Sequence, residues 1–189
     1  MQSDWITVVS GLPRSGTSLM MQMLAAGGIS PLTDGLRAAD DDNPAGYFEL
    51  ERIKQLKSDS AWLEQARGHA VKIISLLLYD LPPGLPYRIL FMRRNLDEIL
   101  ASQRTMLQRR KAVDPGPPDD QMRRYFENHL NKVCRWITDQ NIPCLECDYN
   151  QLLKNPDPIL TDISVFLDGH IKSSAMRTVI RHDLYRNQK

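Results

Sequence analysis

Gly11-Leu12-Pro13-Arg14-Ser15-Gly16-Thr17-Ser18 joins two apolar segments of different character, and that junction restricts the chain to a small set of folds. Upstream, Trp5, Ile6, Thr7, Val8, Val9 and Ser10 form a β-branched run suited to a strand buried on both faces. Downstream, Leu19, Met20, Met21, Met23 and Leu24 fit a buried helix. Strand, glycine-bearing turn and helix in that order make an anion cradle. The glycines permit a tight bend, successive N–H groups point inward, and the positive end of the helix dipole faces any bound oxyanion.

The loop departs from the nucleoside triphosphatase pattern G-x-x-x-x-G-K-[ST], because Thr17 stands where a lysine would reach the β- and γ-phosphates. Its cation is Arg14. With 24 Lys and Arg against 23 Asp and Glu the net charge is +1, which gives no general attraction to nucleic acid or acidic membranes, so anion binding has to be local. A chain of 189 residues can bury one enzyme-sized core and is short for two, so a single domain over residues 1–189 is expected. The sequence has no run of membrane-spanning length and no secretory lead-in, which makes a cytoplasmic location the expectation. Cys134, Cys144 and Cys147 cannot form an even disulfide framework. The C-x-x-C pair lacks a second ligand pair, so all three read as reduced core or strand residues.

Beyond Gly27-Gly28, a polar stretch over 30–46 containing Asp34, Arg37, Asp40, Asp41, Asp42 and Asn43-Pro44 reads as a long loop. The triple aspartate suits a solvated loop tip better than a magnesium site. Leu50, Ile53, Leu56, Ala61 and Leu63 predict a helix over 49–66, followed by strands over 70–75 and 87–92 on either side of Pro82-Pro83-Gly84. Leu96, Ile99, Leu100, Met106 and Leu107 mark another helix, which ends before a Pro- and Asp-rich linker over 111–120. Met122, Tyr125, Phe126, Leu130, Val133, Trp136 and Ile137 form the apolar face of the next. A strand over 142–148 and helices within 156–167 and 173–180 complete the chain. This alternation predicts an α/β fold, a P-loop-type three-layer sandwich with a parallel β-sheet flanked by helices and with ligands outside the carboxyl ends of its strands.

A second anion position emerges from Phe91-Met92-Arg93-Arg94-Asn95, where a strand leaves through a basic pair into a helix capped by Asn95. Arg94 then lies at the sheet edge from which the Arg14 loop also departs. Ser102 falls about two helical turns beyond Asn95, on the same side, where its hydroxyl can share one oxyanion with Arg94.

These two motifs, P-R-S-G-T-S and R-N-x-x-x-x-x-x-S, resemble the cofactor motifs of the sulfotransferases that use 3′-phosphoadenosine 5′-phosphosulfate (PAPS). The resemblance extends to Ala70-Val71-Lys72 before Leu81-Pro82, and to Tyr149-Asn150-Gln151-Leu152 through Asn155-Pro156 and Phe166-Leu167, collinear from about Val8 to about Asp168. The loop is most similar to the bacterial and tyrosylprotein-type members. The resemblance implies PAPS as sulfuryl donor, its 3′,5′-bisphosphate (PAP) as product, and no required metal. It implies that Arg14, Ser15, Gly16, Thr17 and Ser18 hold the 5′-phosphosulfate, that Arg94 and Ser102 hold the 3′-phosphate, and that Tyr149 lies near adenine. Lys72 corresponds to the family lysine that stabilises sulfonate oxygens. The implied acceptor is a hydroxyl or amine on a small molecule, carbohydrate or peptide.

Two departures bear on mechanism. Ile74 stands where small-molecule members carry a catalytic histidine, and Leu19 stands where many carry an adenine-stacking tryptophan. In members without the histidine a glutamate downstream of the loop cation is the base. Here that count reaches Asp34, with Arg37 close by; Glu49 is the second candidate, and Glu51 and His69 are weaker ones. Arg177, Arg181 and Arg186 supply the basic tail that family members often bring to the 3′-phosphate. The alternatives are a catalytically degenerate PAP-binding module or a P-loop small-molecule kinase.

Overall fold

Strict alternation of side chains along four short strands divides the interior into two layers. The computed structural model describes residues 3–36, 46–109 and 116–180. Arg37, Asp40, Asp41, Asp42, Asn43, Pro44, Lys111, Arg181 and Arg186 lie outside the described residues, as does the first half of the linker over 111–120. Strands β1 (Ile6–Gly11), β2 (Ala70–Lys72), β3 (Tyr87–Arg93) and β4 (Cys144–Asp148) form one sheet in the order β2-β1-β3-β4. Every pairing is parallel, with Val9 opposite Lys72 and Gly11 opposite Met92.

Ile6, Val8, Val71, Ile73, Ile89 and Phe91 point to one face and pack under α2 (Leu96–Arg109) and α3 (Asp119–Asp139). Val9, Ala70, Leu90, Met92 and Cys147 point to the other, beneath α1 (Thr17–Gly27), α4 (Tyr149–Lys154), α5 (Pro156–Phe166) and α6 (Ser173–Thr178). The result is the expected α/β sandwich, a parallel sheet with helices on both faces. The three cysteines are free thiols, Cys147 buried and Cys144 exposed. Among the described residues no helix is long and apolar enough to cross a membrane.

Connections from β1 and β3 run in opposite directions, and this places the site. From β1 the chain passes through α1 to β2 on one side; from β3 it passes through α2 and α3 to β4 on the other. Between the carboxyl ends of β1 and β3 the covering layers therefore part, leaving the crevice in which doubly wound sheets take ligands. Gly11, at the end of β1, is held against β3 so closely that a Cβ there would fall 2.7 Å from the Met92 carbonyl oxygen and 2.5 Å from Ser15 Oγ. Across the crevice α2 starts as expected, the Asn95 side chain accepting the Asp97 N–H at 2.8 Å.

The helix expected over 49–66 is replaced by two short 3-10 helices, Glu51–Gln55 and Ala61–Ala66. Ile53 and Leu56, then Leu63 and Ala66, are buried at a spacing of three, the period of that tighter helix. The polar Lys57-Ser58-Asp59-Ser60 segment separates them, and the Asp59 carbonyl accepts the Trp62 indole N–H. Strand β2 is shorter than the 70–75 expectation. Past Lys72 one further bond joins Ile73 N–H to the Val9 carbonyl, and a 3-10 helix, Ser75–Asp80, begins two residues later. Tyr125, expected on the apolar face of α3, is exposed.

That 3-10 helix is tied to α3 by His129, whose Nε2 lies 2.8 Å from Ser75 Oγ while its ring stacks on Tyr125. Burial, with Lys132 nearby, lowers the His129 imidazole below its ordinary value of 6.5. The unfolded chain therefore takes up this proton at a higher pH than the folded one. Stability from this site is complete above the ordinary value and declines as pH falls through it toward the folded-state value. Thermal unfolding of the native chain should show a melting temperature that falls from about pH 7 to about pH 5. His129→Gln should flatten that decline, and an unchanged slope in the variant would refute the assignment.

Candidate active site

The loop after β1 makes its bend with two residues in the left-handed region, Arg14 at φ 74° and Gly16 at φ 101°. The Ser15 N–H closes the turn onto the Leu12 carbonyl at 3.1 Å. Gly16 is the N-cap of α1 and no side chain caps that end, so the first-turn amides, which have no partner inside a helix, face the crevice. Ser15 is buried, and its Oγ has no hydrogen-bond partner among the described residues. Ser15 and Arg94 both line a cavity of about 290 Å³ that opens beside the loop toward Leu130 and Asn131 of α3. A buried hydroxyl without a partner beside open amides is what a ligand oxyanion would complete.

The two motifs expected to hold separate phosphates are bonded to each other. Arg14 reaches across with Nε to donate to Ser102 Oγ at 2.9 Å. In return Arg94 donates Nη1 to the backbone carbonyl of Arg14 at 3.0 Å. Arg94 also pairs through Nε with Glu98 Oε2 at 2.9 Å, its side chain 8% exposed and that of Glu98 only 1%. Asn150 of α4 donates to the other Glu98 oxygen at 2.8 Å. Arg94, just before α2, and Glu98 and Ser102 on it are spaced four residues apart, so the start of α2 and the connection leading into it bring all three to one side.

Tyr149 closes the cluster from α4. The Arg94 guanidinium lies 4.6 Å from its ring centroid, and the ring rests so near Gly16 that a Cβ there would meet its Cδ2 at 2.4 Å. Burial raises the Tyr149 hydroxyl above its ordinary range, against the opposing pull of Arg94. The structure thus brings Arg14, Ser15, Gly16, Arg94, Ser102 and Tyr149 together. Glu98 and Asn150 join them without having been singled out in the sequence. The signal for Glu98 was present, since it stands four residues after Arg94 and four before Ser102.

A second cluster forms at the end of β2. Lys72, its side chain 7% exposed, donates to the Tyr47 carbonyl at 2.6 Å and to Ser18 Oγ at 3.3 Å, and lies 3.5 Å from Glu49 Oε1. Phe48 between the two partners sits at φ 51°, a strained turn that lets both the carbonyl before it and the carboxylate after it reach one ammonium. Ser18 belongs to the first turn of α1, so this cluster is continuous with the anion loop.

The other carboxylates and bases stand apart. Asp34 is fully exposed; its carboxylate accepts the Glu51 N–H at 2.6 Å and the Leu36 N–H at 3.0 Å, capping the 3-10 helix Glu51–Gln55. Those two backbone bonds hold its pKa below the usual carboxylate range. Glu51 pairs with Lys54 on the surface. His69 precedes β2, at the amino edge of the sheet, bonded to the Arg67 carbonyl. Arg177 pairs with Asp157 on the far layer. Among the described residues no group of three His, Cys, Asp or Glu side chains is arranged to hold a metal ion.

With this geometry in hand, comparison with known structures identifies the architecture. The chain is similar to the solved sulfotransferase domain from the curacin biosynthetic pathway, with a TM-score of 0.58 at 13% sequence identity over 97% of this chain and 80% of that one. No protein-family model and no curated protein sequence matches the chain. At that identity the likeness establishes the fold, and the chemistry has to be argued from the residues.

Gly16 is the point at which the loop is least tolerant. Gly16→Ala would force a Cβ into the Tyr149 ring on a backbone that L side chains rarely adopt. It should cost about 1–3 kcal/mol from the backbone alone, lowering the melting temperature by several degrees in calorimetry. Gly16→Ala with Tyr149→Ala should cost less than the two single losses added together. An unaltered melting temperature for Gly16→Ala would contradict the packing described.

Proposed function

We propose that this chain is a sulfotransferase that moves a sulfuryl group from PAPS to a hydroxyl or amine on a small-molecule, carbohydrate or peptide acceptor. The observation that carries the reading is the meeting of Arg14 with Ser102 and of Arg94 with the Arg14 backbone, which puts two cationic motifs at one switch-point crevice beside an unpartnered Ser15 hydroxyl. A nucleotide phosphorylated at both ends needs two anion positions joined by a nucleoside-sized gap. Ser15 of the first motif and Arg94 of the second line one cavity beside the loop, which supports this reading. The likeness to a sulfotransferase domain supports the same choice.

In this reading the amides from Gly16 to Ser18, the hydroxyls of Ser15, Thr17 and Ser18, and the Arg14 guanidinium hold the 5′-phosphosulfate. They offset charge developing on the phosphate as the bridging S–O bond breaks and its electron pair passes to the phosphate oxygen. Sulfuryl transfer resembles phosphoryl transfer in needing in-line positioning and charge stabilisation more than covalent help from the protein. Arg94 and Ser102 bind the 3′-phosphate, and Tyr149 lies near the adenosine. Lys72, held by Ser18 at the loop and by the Tyr47 carbonyl, faces the sulfonate oxygens.

Glu49 is the proton acceptor we favour. It is the carboxylate placed against Lys72, and its side chain remains one-third exposed, so an acceptor hydroxyl can approach it. Asp34, the other candidate, spends both oxygens on backbone N–H groups and is held below the ordinary carboxylate range, which weakens it as a base.

Two measurements test this reading. Titration calorimetry should show PAP binding about tenfold or more tighter than adenosine 5′-monophosphate, as expected for charge-assisted bonds to an added phosphate. Equal affinity for the two ligands would sink the assignment. In labelled sulfate transfer, Glu49→Gln should lower kcat by about 10²–10⁴-fold, the usual contribution of a positioned base, with donor affinity preserved. Asp34→Asn should keep turnover within a few-fold while lowering the melting temperature. Full activity of Glu49→Gln would remove that residue from the mechanism.

A further inference from the structure

We propose that Glu98 is a positioning residue that couples the two anion positions, so that the Arg94, Glu98 and Ser102 set governs affinity for the 5′ end of the donor as well as for the 3′ end. The inference rests on the donor reading above and extends it to a residue that neither bound phosphate need touch. Glu98 lies beneath the surface between Arg94 and Ser102, and its two oxygens are spent in different directions. One accepts from Arg94 Nε and the other from Asn150 Nδ2 of α4. This clamp fixes the plane of the Arg94 guanidinium against the Tyr149 ring and turns Nη1 onto the Arg14 carbonyl.

That last bond reaches the loop where it is under strain. Arg14 is a non-glycine residue at φ 74°, a conformation the chain holds only when its surroundings fix it. Its carbonyl is bonded by Arg94 and its side chain is received by Ser102, so the two contacts come from α2 and from the connection leading into it. The loop amides that follow Arg14 can face a 5′-phosphosulfate only while this bend persists. Glu98 therefore acts on the 5′ end through Arg94 and the Arg14 backbone.

Simple electrostatics makes the opposite forecast. A buried carboxylate beside the Arg94 guanidinium subtracts from the local positive potential, so removing its charge should strengthen binding of any phosphate. Coupling through geometry forecasts weaker binding, because Gln can accept at only one of the two oxygens and must release either Arg94 or Asn150. The sign of the effect separates the two accounts.

The experiment is titration of the wild-type chain, Glu98→Gln, Asn150→Ala, Arg94→Ala and the Glu98→Gln/Arg94→Ala double variant with PAP and with adenosine 5′-monophosphate. Glu98→Gln should weaken adenosine 5′-monophosphate, which carries no 3′-phosphate, by about tenfold, and PAP by at least as much. Asn150→Ala removes one anchor without altering charge and should show the same pattern to a smaller degree, which keeps the test open if Glu98→Gln does not fold. The double variant should bind adenosine 5′-monophosphate no more weakly than Arg94→Ala alone, a non-additivity that a general loss of stability would not produce. Tighter binding by Glu98→Gln, a loss confined to PAP, or additive losses in the double variant would each overturn the coupling while leaving the donor reading intact. If the wild-type chain bound neither nucleotide, the donor reading itself would fail and the coupling with it.

Discussion

The bond from Arg94 to the Arg14 carbonyl is the constraint on which the crevice depends. A left-handed conformation costs an L residue roughly 1–2 kcal/mol, and a hydrogen bond to a charged donor returns about 1.5–3 kcal/mol. The two are of the same size, so a single side chain from the connection into α2 is enough to hold the loop after β1 in its bend. The reverse bond, Arg14 to Ser102, uses the outward swing of the Arg14 side chain that the same backbone conformation produces. Each motif completes the other, which makes the two motifs one structural unit spanning the switch point.

Charge is distributed to match. Arg94 is almost wholly buried, and an unpaired guanidinium there would carry a severe desolvation cost, which Glu98 offsets at the bottom of the crevice. Lys72 is buried to a similar degree at the end of β2 and has a carbonyl, a hydroxyl and the Glu49 carboxylate around it. Both cations are therefore oriented by fixed partners before any ligand arrives. Such preorganisation makes electrostatic stabilisation effective, because the surroundings need not rearrange as charge develops. The near-neutral net charge fits this picture, since the attraction for an anion is concentrated in a few buried groups.

Most of the architecture was legible in the sequence because it rests on period and punctuation. The β-branched run at Ile6 to Ser10 and the apolar run at Ile89 to Met92 became β1 and β3, and the loop between β1 and α1 was identifiable from Gly11, Gly16 and the Leu-Met run. Elements of weak or mixed period were misread. The apolar positions over 49–66 fit a helix on paper, yet their spacing of three and the polar interruption gave two 3-10 turns. Within the site, positions at strand ends were readable, since the end of a strand in a parallel sheet predicts the edge on which a side chain emerges. Contacts that depend on the depth of a neighbouring helix were not. Nothing in one dimension says that Tyr149 rests on Gly16, or that Asn150 reaches back to Glu98 across 52 positions of chain.

On the proposed reading, the preference for Glu49 over Asp34 rests on how the oxygens of each carboxylate are bonded rather than on spacing from a motif. Counting along the chain from Arg14 measures contour length, whereas a base is defined by what its oxygens are free to do. Asp34 reaches the segment that carries the cluster, but as a strap: its own N–H and the Thr33 hydroxyl bond the Glu49 carbonyl, and its carboxylate caps the turn that follows. These bonds fix the backbone on both sides of Glu49, and the left-handed turn at Phe48 does the rest. The residue nearest the expected spacing thereby aims its neighbour in space at Lys72. On the proposed reading this division of labour compensates for Ile74, because the carboxylate enters from the segment after the long loop, and the strand needs to supply only the ammonium.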